Sequence, residues 1–220
     1  METRNDYKPI RHSPIKIDAR PIETRRHNGF EVVLDYDNES EKKENAPAIV
    51  DLCHMTKWDI QDRDLSRIKP MGFDIPEAPG DCIIHDNRIH IFRLNPSQAG
   101  VWLIHTGELV ETDDACFNHP AFTDITDGQA LLAVVGHSVP SFVETITKMD
   151  LMSPRREPPF IAQGPIIDIA SRVVVRRLAQ ENSVVLFSFP RGYGQPMLEA
   201  LLDSGSRRGV HFAGEKAFFR

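Results

Sequence analysis

The chain has 220 residues, 40% hydrophobic and 26% charged, a composition that supports one sizeable buried core or two small ones. A net charge of −6 excludes a basic field over the whole surface, of the kind that attracts nucleic-acid backbones. No apolar run reaches the roughly 18–20 residues that span a bilayer, and the opening METRNDYKPIRHSP lacks the apolar centre of a secretory signal, so the sequence predicts a cytoplasmic protein with neither membrane nor nucleic-acid partners.

Residues 1–28 mix Arg, His, Pro and Lys with little periodicity and read as an extended N-terminal arm ahead of a single domain over 29–220. Ile15, Ile17 and Ile22 are too scattered for a core and would anchor the arm on a partner. FEVVL (30–34) reads as a strand, and DYDNESEKKENAP (35–47) as a solvated loop. Further strands are expected at 48–52, 81–85, 88–94, 100–104, 129–135, 172–177 and 183–189. Asp86-Asn87, two types that tolerate left-handed backbone, predict a tight hairpin between the second and third of these. A short helix is expected at 62–69, before Pro70. In GHSVPSFVETITKMD, Ser138 is placed to cap a helix with Pro140 in its first turn and with Val139, Phe142, Ile146 and Met149 on one face. Pro196 opens a last helix that buries Met197, Leu198, Leu201 and Leu202 and stops at Gly205. Many strands and about three helices in no regular alternation predict an α+β fold with mostly antiparallel sheet.

No catalytic constellation emerges from the residues themselves. Cys53, Cys82 and Cys116 are odd in number and contain no CxxC pair, which predicts buried, reduced thiols and no disulfide or zinc ribbon. None of the nine histidines forms HExxH, so no metal is expected; His85 and His90 straddle the hairpin and could face each other or solvent. VVGHSVP resembles a nucleophile elbow only loosely, and PRGYGQP (190–196) lacks a phosphate-loop pattern. Asp113-Asp114 and Asp124/Asp127 lie in turn-rich sequence without the desolvation that acid–base work needs. SPRREPP (153–159) reads either as a solvated loop or, through Arg155 and Arg156, as a surface for an acidic partner. Cys53-His54-Met55, at the end of an apolar run, could be a metal site, a reactive thiol or the filling of a pocket.

Set in order, IVDLCHMTKWDI, RIHIFRL, DITDGQALLAVVGHSVPSFVETI, SFPRGYGQPMLEALLDSG and GVHFAGEKAFFR resemble successive segments of the glycine cleavage T-protein (aminomethyltransferase) family over residues 48–220. The resemblance implies a single T-protein-like, folate-binding-type domain. It is nearest to the short branch formed by gamma subunits of heterotetrameric sarcosine oxidase, which share an R-x-S-P-[LI] arm like Arg11-His12-Ser13-Pro14-Ile15. Larger family members continue into a C-terminal barrel, which this sequence does not reach. By this resemblance Cys53, His54 and Met55 border a folate-type pocket together with Asn87 and Arg88, which stand where the T-protein has an aspartate pair. A neutral amide and a cation cannot act as a carboxylate base. The implied function is therefore a non-catalytic or weakly folate-binding gamma-type subunit of a sarcosine oxidase-like, flavin-dependent amine-demethylating enzyme linked to tetrahydrofolate one-carbon metabolism. Flavin and NAD would sit on larger partner subunits, reached through Arg11, Ser13, Pro14, Arg155 and Arg156. The alternative is a tetrahydrofolate-dependent demethylase or aminomethyltransferase component completed by a partner polypeptide.

Overall fold

The computed structural model describes residues 10–37, 46–106, 119–179 and 182–219. Its strands are β1 (Pro21–His27), β2 (Phe30–Tyr36), β3 (Ala48–Asp51), β4 (Thr56–Gln61), β5 (Cys82–His85), β6 (Ile89–Asn95), β7 (Gln98–Leu103), β8 (Phe122–Asp124), β9 (Gln129–Gly136), β10 (Phe160–Ile166), β11 (Ile169–Arg177), β12 (Ser183–Pro190) and β13 (His211–Ala213). Helices are α1 (Val139–Ile146), α2 (Gly194–Gly205) and the single turn α3 (Lys216–Phe219). The strands form a hairpin β1-β2, a six-stranded sheet β10-β11-β12-β9-β3-β13 and a five-stranded sheet β5-β6-β7-β4-β8. Among the strands of the described residues, β13 alone runs parallel to its neighbour, β3. The architecture is α+β and mostly antiparallel, and no helix among the described residues is long and apolar enough to cross a membrane.

β9 shows why the layers stack as they do. Its near-continuous apolar run alternates between two cores: Ala130, Leu132 and Val134 face α1 and α2, while Leu131, Ala133 and Val135 face the other sheet. A strand apolar on both faces must be covered on both. On one side Val139, Phe142, Val143 and Ile146 of α1 pack with Met197, Leu198 and Leu201 of α2. On the other, Phe92 and Trp102 of the five-stranded sheet meet Val174 and Leu186. A third core, with Trp58, Ile60, Ile91 and Val101, lies on the far face of the five-stranded sheet under Leu65, Ile68 and Ile75.

The hairpin forms as its turn residues predict, Asp86 and Asn87 both having positive φ (50° and 58°) between β5 and β6. His85 pairs with Ile89, whereas His90 pairs with Ile84, so the two histidines point to opposite faces. His90 is fully buried and His85 stacks on Phe73 with ring centroids 3.9 Å apart.

Several expectations are corrected. The described part of residues 1–28 is not a free arm: Pro21–His27 pairs with β2, and Ile15 is buried in the helix-side core. The 62–69 helix is replaced by isolated single turns at Leu65–Arg67 and Pro70–Gly72: Ile68 is extended (φ −96°, ψ 123°), and Lys69, preceding Pro70, is kept out of the helical region (φ −124°, ψ 85°). Ser138 sits at φ 55° and makes no side-chain cap, and α1 ends before Met149, which instead fills the space above Gly164. α2 does end at Gly205, but not through left-handed backbone: Gly205 keeps φ −92°, a Cβ there would meet Val210 and Phe142, and the left-handed residue is Gly209 at φ 75°, after one further turn over Ser206–Arg208.

Gly214 follows β13 where a Cβ would run into the Leu34 carbonyl and the Asp35 amide, backbone atoms that cannot rotate away. Gly214→Ala should therefore cost about 2–3 kcal/mol in urea unfolding, by prying the β2 backbone away from the end of β13.

Candidate functional site

The Cys53-His54-Met55 turn follows β3 and is closed by the Met55 amide donating to the Leu52 carbonyl at 3.0 Å. Its three side chains part company. Cys53 is fully buried in the helix-side core, where its Sγ accepts from the Leu131 amide. Met55 is fully buried between the two sheets with Phe92 and Trp102. His54 alone turns toward a cavity. From β4, the fully buried Lys57 reaches back and donates Nζ to the carbonyls of Cys53 (2.9 Å) and Met55 (2.8 Å), locking the turn. Burial brings the Lys57 ammonium down to about 8.

Burial, reinforced by Asp51, pushes the Cys53 thiol well up, and burial lifts Cys82 to about 12. Neither is a nucleophile, since the thiolate is the reactive form. Both should resist a neutral-pH thiol reagent in the folded protein and react on unfolding, which labelling with mass readout checks.

His54 belongs to a buried polar cluster assembled from four distant segments. Glu215, 2% exposed after β13, accepts from Arg25 of β1 through Nε (3.0 Å) and Nη2 (2.6 and 2.8 Å), and from His54 Nε2 at 2.8 Å. Burial alone would raise the Glu215 carboxyl; hydrogen bonds and charge from His54 and Arg25 outweigh it and hold the group below its ordinary value. Arg25 Nη1 also donates to His27 Nδ1 at 3.2 Å. His27 stands edge-on to both His54 (5.4 Å) and His105 (5.0 Å). Burial first, then the neighbouring His54 and Arg25, lower His27 to about 4, and burial lowers His105 as well. Burial thus favours the neutral forms of His27 and His105, and among the described residues no group of three or more ligating side chains is placed to hold a metal ion.

Two cavities flank this cluster. The first, about 570 Å³, is bordered by Ser13, Ile15, Tyr36, Asp51, His54 and Glu215 among others. The second, about 780 Å³, is bordered by Asn87, Arg88, His105, Arg176, Arg177 and Phe218 among others. The five expected pocket residues therefore do not share one site: His54 faces the first cavity, Asn87 and Arg88 the second, and Cys53 and Met55 are enclosed in core because the turn that carries them points inward.

Four of the five expected interface residues are engaged within the chain. Arg11 pairs with Asp127 at 2.6 Å, Ser13 donates to Asp51 at 2.5 Å, and Pro14 packs against Gly194. Arg156 donates to the carbonyls of Gly80 and Ile161 and lies over Phe160, while Arg155 is exposed. Asp113-Asp114 and Cys116 lie outside the described residues. Sequence reading missed Arg25, His27, His105 and Glu215, charged or polar residues with no local pattern; Glu215 beside Gly214 and ahead of the apolar AFF is the one faint signal.

The fold is T-protein-like. One chain of the heterotetrameric sarcosine oxidase of Corynebacterium sp. U-96, solved in complex with pyrrole 2-carboxylate, superposes with a TM-score of 0.60 at 14% identity, covering 78% of this chain and 90% of that one. The glycine cleavage system aminomethyltransferase T of Bartonella henselae superposes with a TM-score of 0.57 at 15% identity, covering 94% of this chain and spanning 60% of the aminomethyltransferase. No protein-family model and no curated protein sequence matches the chain.

Proposed function

We propose that this chain is a gamma-type subunit of a heteromeric, flavin-dependent, amine-demethylating enzyme of the sarcosine oxidase kind, cytoplasmic and linked to tetrahydrofolate one-carbon metabolism. The observation that carries this reading is coverage: this chain accounts for 90% of the matched sarcosine oxidase chain, which is thus of similar length and belongs to a heterotetramer. Its own pocket supports a non-catalytic role. In the second cavity the one acid among the described lining residues, Asp86, is exposed at the hairpin tip. Around it Arg88, Arg176 and Arg177 make the border cationic. Such a pocket suits weak binding of a flat folate against Phe218 and Phe219 better than proton transfer. In this reading flavin and NAD belong to larger partner subunits.

Isolation from the native source should bring down larger flavin-bearing chains in fixed ratio. The lone chain should bind reduced folates weakly in calorimetry and turn over neither sarcosine nor dimethylglycine. Turnover by the chain alone, lost in Cys53→Ala or His54→Ala, would overturn the subunit reading. It would favour the second reading, a folate-dependent aminomethyltransferase component whose partner supplies the rest, which draws support from the 94% of this chain covered by aminomethyltransferase T.

A further inference from the structure

The second cavity gathers positive charge on a chain whose net charge is −6: Arg88, Arg176 and Arg177 all border one concavity of about 780 Å³. Two local devices bring them together. The left-handed Asp86-Asn87 turn delivers Arg88 just ahead of β6. In β11 the register against β12 shifts between Val175 and Arg177, which breaks the strict alternation of faces, so the successive Arg176 and Arg177 both reach the same cavity.

None of the three has a carboxylate partner among the described residues, whereas Arg11, Arg25, Arg67 and Arg172 each meet one at 3.0 Å or less. Arg176 donates Nη2 to the Asn87 carbonyl at 3.1 Å and lies over the Phe218 ring, 5.4 Å from its centroid. Arg177 donates Nε to the Asn182 carbonyl at 2.8 Å, and Arg88 is exposed. Carbonyls orient these side chains and leave their charges in place. Burial first, then the Arg177 charge, lower the Arg176 guanidinium, and no carboxylate acts against them. Asp86, the one acid on the border, lies at the exposed hairpin tip and forms no ion pair among the described residues.

Charge and size together select the guest. A cation would meet three arginines, and a neutral guest would leave them uncompensated. Inorganic phosphate would fill little of the space, which falls in the roughly 300–1,000 Å³ range usual for organic ligands. Ile83, Ile84, Pro159 and Phe219 supply apolar wall, Ile83 being 40% exposed.

We infer that this cavity binds an organic anion carrying two or more negative charges on an apolar body, its acidic groups on Arg88, Arg176 and Arg177 and its body against Ile84 and Phe219. The guanidinium fork suits carboxylate and phosphate oxygens alike. The inference shares its cavity with the folate reading and does not depend on it, since it concerns charge and not a pterin.

The test titrates the full chain, at mildly alkaline pH, by calorimetry and NMR. Benzene-1,3-dicarboxylate and phenyl phosphate are the dianions, and the tighter of the two names the acidic group. Benzoate is the single-charge comparison, benzyl alcohol the neutral one and inorganic phosphate the dianion without a body. Saturable, salt-sensitive binding of a dianion is expected, at least ~10-fold tighter than benzoate or phosphate, with shifts at residues around Arg88 and Arg176. Arg88→Ala and Arg176→Met should each weaken it about 10-fold. Arg67→Ala, an equal loss of charge on the far face of the five-stranded sheet, should leave it unchanged. If Arg176→Met does not fold, the exposed Arg88 and Arg177, each changed to Ala, decide. No saturation by either dianion, equal binding of benzoate or phosphate, or wild-type affinity in the folded cavity variants overturns the assignment. Binding of a reduced folate alone would overturn it and keep the folate reading, and binding of the dianions alone would do the reverse.

Discussion

Acidification from pH 7 to pH 5 should remove about 4 kcal/mol of stability, a large share of the roughly 5–15 kcal/mol typical of a domain. The effect follows from imidazoles that the fold keeps neutral. His27 is lowered from 6.5 to about 4 by burial and the charges of His54 and Arg25. His90, wholly enclosed between the sheets with Arg176 nearby, is lowered to about 3, chiefly by burial. A histidine depressed in the folded state is protonated first in the unfolded chain. Above about 6.5 both states are neutral and the full stability is present; between 6.5 and 4 the unfolded state gains protons alone, and each group costs roughly 2 kcal/mol by pH 5. His105, lowered by burial, adds in the same direction. Glu215 acts later, because a depressed carboxyl contributes above its ordinary pKa and is lost only at more acid pH. Urea unfolding at pH 7, 6 and 5 reads the slope, and His90→Leu should remove close to half of it. A stability that stays level over this range would refute the neutral-imidazole account.

The second large effect is expected at Glu215. Replacing it with Ala leaves the Arg25 guanidinium and the His54 N–H facing one another without their shared acceptor, at sites 20% and 4% exposed. Removing one partner of a buried ion cluster costs about 3–5 kcal/mol, and the lower figure applies because Arg25 is partly wetted. Glu215→Gln, which keeps one acceptor oxygen, should lose less. Adding Arg25→Leu to Glu215→Ala should restore part of the loss, since the orphaned cation disappears. A double-mutant cycle in urea measures this, and additive losses would show that the cluster is not coupled.

What could be read from the sequence was local. QALLAVV announces a doubly covered strand by its composition alone, and Asp86-Asn87 announces its turn by backbone preference. β4 escaped because its two inward positions are Lys57 and Asp59, charged residues that the fold satisfies with carbonyls and with Arg172. β10 was hidden by Gly164 and Pro165, and β1 by its exposed run Pro21, Ile22, Glu23 and Thr24. The T-protein-like fold was legible from the order of apolar islands, although identity to the solved structures is only 14–15%. The polar cluster was not, because its members meet only through tertiary structure and none carries a spacing that betrays the others.

The hairpin β1-β2 and the segment leading into it are held on by some of the longest-range contacts among the described residues: Arg25 meets Glu215 across 190 positions, and the Lys16 amide meets Gln195 across 179. Loop-closure entropy grows only logarithmically, about 0.6 kcal/mol per doubling of length, so distance in sequence weakens these contacts little once they are made. Their effect falls on time instead. The five-stranded sheet, the β10-β11-β12-β9-β3 part of the other and α1 and α2 can assemble from pairings within residues 46–205, whereas the hairpin must wait for β13 and Glu215 to be in place before it has anything to dock on. Refolding should therefore show tryptophan burial at Trp58 and Trp102 first, and closure of Tyr36 against Phe212 in a later, slower phase.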